Sequence, residues 1–221
     1  MGQQEAGIEL PVLQRVCEDV KNVYDLGVQV ALVIGGGNIF RGLKGAAEGI
    51  ERTSSDHMGM LATVINGLAL QSMLERLGLE VRVMSAIPMQ SVCEPYIRRR
   101  AMHHMQKGRI VICVGGTGNP YFTTDSAAAL RASELNCDIL MKATRVDGIY
   151  SADPEKDPDA KFYPELTYMQ VLRDNLRVMD LAAVSLAKES NIPIMVFSLN
   201  EPGCMRKAVL GEGRFTLIHE T

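Results

Sequence analysis

Two long apolar runs, each broken by glycines, limit what this chain can fold into. Val28-Gln29-Val30-Ala31-Leu32-Val33-Ile34 is almost continuously apolar and ends at Gly35-Gly36-Gly37. Arg109-Ile110-Val111-Ile112-Cys113-Val114 repeats the arrangement and ends at Gly115-Gly116. A strand without polar alternation is covered on both faces, as in a parallel sheet sheathed by helices. Leu10, Leu13, Val16, Val20, Val23 and Tyr24 recur at helical spacing and predict a helix over 10–26, stopped by Gly27. Similar reasoning predicts helices over 56–77, 95–107, 124–135, 180–190 and 202–210. Strands are predicted over 81–84, 138–142, 193–197 and 215–218. This alternation predicts an α/β fold with a mostly parallel sheet and helices on both faces. Residues 151–165 hold three prolines and five acidic residues and read as a solvated loop. No repeat divides the chain, which reads as one domain over 1–221 with a soft division near residue 137.

Composition narrows the function classes. The chain has 221 residues, so it buries roughly 70% of its unfolded surface without a disulfide or metal staple. Its net charge of −3 argues against a general nucleic-acid binder, which needs a basic face. Five cysteines, at 17, 93, 113, 137 and 204, form no CxxC and no zinc spacing. They read as free thiols in a reducing cytoplasm. The N-terminal Met1-Gly2-Gln3-Gln4-Glu5 is polar, unlike a signal peptide. No apolar run reaches the roughly 18 residues of a membrane span. A cytoplasmic protein away from membranes is the expectation.

Ligands of open α/β sheets bind beyond the carboxyl ends of strands. Both glycine clusters fall there. The first continues as Gly35-Gly36-Gly37-Asn38-Ile39-Phe40-Arg41-Gly42, and Arg41 suits a bidentate grip on phosphate. The second runs Gly115-Gly116-Thr117-Gly118-Asn119-Pro120-Tyr121-Phe122-Thr123-Thr124-Asp125. Thr123, Thr124 or Asp125 would cap the next helix, whose N-terminus favours an anion. Either cluster alone is compatible with a tight turn. Together they point to a phosphate-bearing ligand. No P-loop is present, and Tyr121 breaks a dinucleotide-binding G-x-G-x-x-G. Lys142-Ala143-Thr144-Arg145-Val146-Asp147-Gly148-Ile149-Tyr150 places a lysine at the predicted carboxyl end of a strand, and a plain strand and turn fits it equally. Asp180 precedes a helix, where an N-cap accounts for most aspartates.

Four segments taken together resemble the bacterial uridylate kinases of the amino acid kinase superfamily. They are Val33–Gly42, Asp56-His57-Met58-Gly59-Met60-Leu61-Ala62-Thr63, Gly118–Ala127 and Lys142–Gly148. The resemblance spans essentially the whole chain. It implies a three-layer αβα sandwich, a homohexamer, and transfer of the γ-phosphate of ATP to UMP. Mg²⁺ would arrive with ATP, and GTP would activate and UTP inhibit. By the same resemblance Gly36, Asp56 and Thr117, Gly118, Asn119, Pro120, Tyr121, Phe122, Thr123 and Thr124 would hold UMP, with Asp56 accepting from the ribose hydroxyls. Gly37, Arg41, Thr144, Tyr150 and Asp153 would hold ATP, and Lys142 would approach its phosphates. Asp125, Asp180 and Arg41 would form the phosphoryl-transfer centre. An N-cap role for Asp56 is compatible with ligand binding.

The family opens with a strand ending in Lys-Leu-Ser-Gly-Glu, and this sequence starts after that point. The resemblance therefore implies a chain that binds UMP but transfers phosphate poorly. Two other readings stand beside it. One is a relative acting on carbamate, glutamate, aspartate or acetylglutamate. The other is a nucleotide-binding regulator without turnover.

Overall fold

The computed structural model describes residues 7–40, 49–154, 156–176 and 179–220. The chain forms two compact units, Met1–Ala127 and Ala128–Thr221. It passes from one to the other within a single helix, Thr124–Leu135.

The first unit opens with α1 (Leu10–Tyr24), where Pro11 sits in the first turn and forfeits no helical bond. Then follow β1 (Ala31–Val33), α2 (Arg52–Arg76), β2 (Val81–Ser85), β3 (Glu94–Pro95), α3 (Arg98–Gln106) and β4 (Ile110–Val114). The sheet order is β1-β4-β2-β3, and every pairing is parallel. All five residues of β4 are buried, as a continuous apolar run requires. β1 is shorter than its apolar run because the run enters from solvent, with Val28 39% exposed. α2 lies against β2 and β4 at Gly67, where a side chain would collide with Val114.

α2 begins four residues before its predicted start. Glu51 is the reason. Its carboxylate accepts from the backbone N–H of Ser54 at 2.8 Å and of Thr53 at 3.0 Å, closing the helix end. These bonds, the one from Ser54 foremost, hold its carboxyl at about 2, against an ordinary 4.5. A depressed carboxyl stabilises fully above its unfolded value and loses that contribution as pH falls through the folded one. The melting difference between the parent and Glu51→Ala should therefore be constant above about pH 5 and shrink as pH falls from 4.5 toward 2. A difference that persists unchanged at about pH 2.5, near the low end of that window, would refute the cap assignment.

The second unit begins inside α4 (Thr124–Leu135). It continues with β5 (Leu140–Thr144), β6 (Ile149–Tyr150), β7 (Phe162–Tyr163), β8 (Glu165–Thr167), α5 (Tyr168–Arg173), α6 (Leu181–Glu189), β9 (Ile194–Ser198), α7 (Cys204–Val209) and β10 (Phe215–His219). The sheet order is β5-β9-β10-β8, with β9 and β10 antiparallel and the other pairs parallel. β6 and β7 make a separate antiparallel ribbon. Strand alternation gives this sheet two covered faces. Ile194, Val196 and Ile218 pack with Tyr168 and Val171 of α5 and Ala183 and Val184 of α6. Met195 and Phe197 pack with Ala208 of α7, Phe215 and Leu217.

Tyr168 is 1% exposed, and its hydroxyl donates to the Ile192 carbonyl at 2.6 Å. Burial pushes the phenol up to about 12. Tyr168→Phe keeps the ring but leaves that carbonyl without this donor. We expect a loss of about 1–3 kcal/mol in urea denaturation. An unchanged midpoint would show that the hydroxyl contributes nothing.

Among the described residues no disulfide joins the five cysteines, and no helix is long and apolar enough to cross a membrane.

Candidate functional site

In the first unit both glycine loops meet one helix. β1 and β4 are parallel neighbours, so residues 35–37 and 115–118 emerge side by side at their carboxyl ends. Gly36 presses on α2 closely enough that a Cβ would lie 2.6 Å from the Gly59 carbonyl and 2.8 Å from the Ala62 Cβ. Its own carbonyl accepts from Ile39 and Phe40 N–H, which turns the loop back. Asn66 of α2 donates to the Gly35 carbonyl at 2.8 Å and exchanges amide bonds with Asn38 at 2.6 and 3.0 Å.

The second loop is fastened to the same helix. Thr63 Oγ1 accepts from Gly115 N–H at 2.7 Å and donates to the Met60 carbonyl. Gly115, Gly116 and Gly118 have φ of 76°, 58° and 80°, left-handed values that need glycine. Tyr121 has φ of 72° without being glycine, which costs of order 1–3 kcal/mol unless its surroundings hold it. Its N–H donates to Asp56 Oδ2 at 2.9 Å. Thr117 and Asn119 bond one another across the loop, and Tyr121 and Phe122 are 68% and 58% exposed. Thr123 is the helix cap, its Oγ1 accepting from Asp125 and Ser126 N–H, so Thr124 and Asp125 fall in the first turn of α4. Thr124 Oγ1 lies beside Gly35.

Asp56 is not the N-cap of α2, since Glu51 holds that place. It sits one turn inside, its side chain 13% exposed. Oδ2 takes Arg52 Nε at 2.8 Å as well as Tyr121 N–H. Among the described residues nothing bonds Oδ1. Gly36, Asp56 and the Thr117–Thr124 loop are thus brought together, and Gly37 lies in the same turn as Gly36. Arg41 lies outside the described residues.

The second unit carries the other predicted residues. β5 starts and ends two residues later than predicted, so Lys142 lies mid-strand, opposite Val196 of β9, and Thr144 takes the carboxyl end. The loops after β5 and β9 are tied together: Leu199 N–H donates to the Thr144 carbonyl, and Asn200 Nδ2 to the Arg145 carbonyl at 2.6 Å. Beyond them opens a cleft of about 440 Å³, lined among others by Arg145, Asp147, Asn200, Lys207 and Arg214. Lys142, Thr144, Tyr150 and Asp153 do not line it. Tyr150 borders its wall, donating to Asp147 Oδ1 at 2.6 Å, a bond that raises the phenol above its ordinary value. Arg214 pairs with Asp147 at 3.2 Å and stacks over Phe162 at 4.2 Å. Asp153 pairs with Lys156 at 3.1 Å. Asp180 caps α6, Oδ1 accepting from Ala183 N–H at 2.7 Å.

Sequence reasoning missed Arg52 and Arg214. Arg52 stands four residues before Asp56 on a helix, a pairing spacing that could have drawn notice. Arg214 had no such signal, because its partners lie 50 or more positions away.

The model of the amino acid kinase family matches residues 2–198. The uridylate kinase of Rickettsia typhi is 54% identical over 220 residues, covering all of this chain and 90% of its own. That of Rickettsia felis is 55% identical, with 91% of its own chain covered. Two solved structures match closely. The UMP kinase from Bacillus anthracis has a TM-score of 0.95 at 44% identity, over 99% of this chain and 90% of its own. The UMP kinase from Ureaplasma parvum has a TM-score of 0.95 at 34% identity, over 100% and 94%.

Proposed function

The chain belongs to the amino acid kinase family, and from that premise we propose that it transfers the γ-phosphate of ATP to UMP, giving UDP and ADP. One observation carries the reading. Two glycine loops at neighbouring strand ends converge on α2, with Asp56 Oδ1 left to accept a hydroxyl beside them. Loop N–H groups cradle a phosphate, and an ionised acceptor recognises a ribose.

The reaction asks for positioning and charge neutralisation more than covalent chemistry. An oxygen of the UMP phosphate attacks the γ-phosphorus as the bond to ADP breaks. That oxygen is already anionic, so no strong base is needed. On this reading Asp56 holds the ribose, and Gly36 and the Thr117–Thr124 loop hold the rest of UMP. Gly37, Arg41, Thr144, Tyr150 and Asp153 hold ATP. Lys142 and Arg41 offset phosphate charge, while Asp125 and Asp180 organise the transfer centre.

Mg²⁺ entering with ATP would neutralise phosphate charge. It would be held mainly by the phosphate oxygens that bring it in. Activation by GTP, inhibition by UTP, a cytoplasmic location and a homohexamer belong to the same proposal. Met58, Leu61 and Ile65 form a stripe on α2 that is 41–50% exposed, which supports contact between copies.

A coupled UDP-formation assay decides. Turnover is expected with UMP and not with carbamate, glutamate, aspartate or acetylglutamate, responding to added GTP and UTP. Turnover with an acid alone, or saturable UMP binding without any UDP, would refute the reading. Light scattering reads the assembly mass.

A further inference from the structure

We propose that Arg52 is a positioning residue for UMP, fixing the Asp56 carboxylate so that one oxygen faces the ribose. The inference rests on the proposed role of Asp56 as ribose acceptor.

A carboxylate oxygen has two lone pairs. Asp56 Oδ2 spends both, on Arg52 Nε at 2.8 Å and on Tyr121 N–H at 2.9 Å. Oδ1 spends neither among the described residues, so its full accepting capacity is turned to the ligand side. Two donors arriving from different elements, a helix turn and a loop, leave the carboxylate one orientation. With the Arg52 bond gone, rotation about the Cβ–Cγ bond could exchange the two oxygens, and the ribose would have to select among orientations. That selection costs affinity.

Arg52 also acts on the loop. Its guanidinium lies 5.4 Å from the centre of the Tyr121 ring, within cation–π range. Tyr121 holds a left-handed backbone that a tyrosine does not adopt unaided, and the residue is largely exposed. The Asp56 bond to its N–H and the Arg52 stack are the contacts that keep it there. The pair is therefore more than a surface ion pair at helical spacing, because Asp56 is 13% exposed and its second partner stands 65 residues away.

The test is calorimetric binding of UMP and dUMP to the parent, Arg52→Ala, Arg52→Gln, Asp56→Ala and Arg52→Ala/Asp56→Ala. Arg52→Ala should weaken UMP about tenfold, the scale of one charge-assisted bond. It should move dUMP less than about twofold, since the analogue lacks a hydroxyl that the oriented oxygen recognises. Arg52→Gln keeps the stem and an N–H, so it should fall between parent and Arg52→Ala. In the Asp56→Ala background, loss of Arg52 should cost UMP binding clearly less than it does in the parent, because only its contact with Tyr121 is left to lose. Parallel losses for UMP and dUMP, or losses that add in the double variant, would mean that Arg52 only supports the fold. A parent that binds UMP with Arg52→Ala unchanged would overturn this inference alone. A parent that binds neither nucleotide would overturn the functional reading and this inference with it.

Discussion

Replacing Lys142 by methionine is expected to lower kcat for UDP formation about 10²–10³-fold, the usual cost of removing one preorganised charge from a reacting site. The argument starts from its place in the sheet. Lys142 sits mid-strand in β5, opposite Val196, and shares a face with Leu140 and Thr144. That face packs into the core holding Val196 and Leu140. Lys142 is half-buried on that face. Methionine matches the stem and removes the charge. Turnover should fall far more than the loss of folded protein can explain. An unchanged kcat would remove Lys142 from the mechanism, and a collapsed melting temperature would make it structural.

Gly36→Ala is expected to cost about 1–3 kcal/mol of stability, the range for overpacking. That corresponds to roughly 3–10 °C in melting temperature for a chain of this size. The added carbon would meet the Gly59 carbonyl at 2.6 Å and Thr63 N at 3.0 Å. These are backbone atoms of α2 and cannot rotate away. The helix must shift, and Asp56 moves with it, so UMP affinity should fall as well. Gly35→Ala is the control for stability. Its added carbon would lie 3.4 Å from Thr124 Oγ1, an ordinary contact, and its melting temperature should stay near the parent's. Equal melting temperatures for Gly36→Ala and the parent would mean that α2 gives way freely.

Much of the framework was legible because its signals are local. The predicted bounds of α4 match the structure, Thr124–Leu135, because the capping residues Thr123, Thr124 and Asp125 cluster at its start. β4 was legible from five apolar residues in a row. The sequence pattern starts α2 too late because Asp56 looks like a cap and Glu51, an uncommon one, does not. β5 was displaced by two residues because the apolar pattern around Asp138 does not mark where pairing with β9 begins. β3, β6, β7 and β8 have two or three residues each, too few to show a period, and they exist through their partners. The glycine loops at the strand ends were legible for the same local reason. Asp56 was found only through the resemblance. Its partners Arg52 and Tyr121, and the tilt of its carboxylate, depend on a meeting of segments 65 residues apart.

The two sheets also differ in how far apart in the chain their partners lie, and this sets an order of folding. β9 and β10 are antiparallel and pair Phe197 with Phe215 across one short helix. Closing that short loop costs little chain entropy. β1 must find β4 after α2, β2, β3 and α3 have been strung between them, pairing Ala31 with Val111. Contacts so distant in sequence form late and slowly. We expect pulsed hydrogen exchange to show protection of Met195–Phe197 before that of Ala31–Val33, and simultaneous protection would contradict this order. The glycine loops are joined to the strands that close last. A newly made chain would then carry its nucleotide loops unformed while the β9–β10 pair is already in place, and UMP, binding only the finished arrangement, would hold the loops closed once formed without hastening their closure.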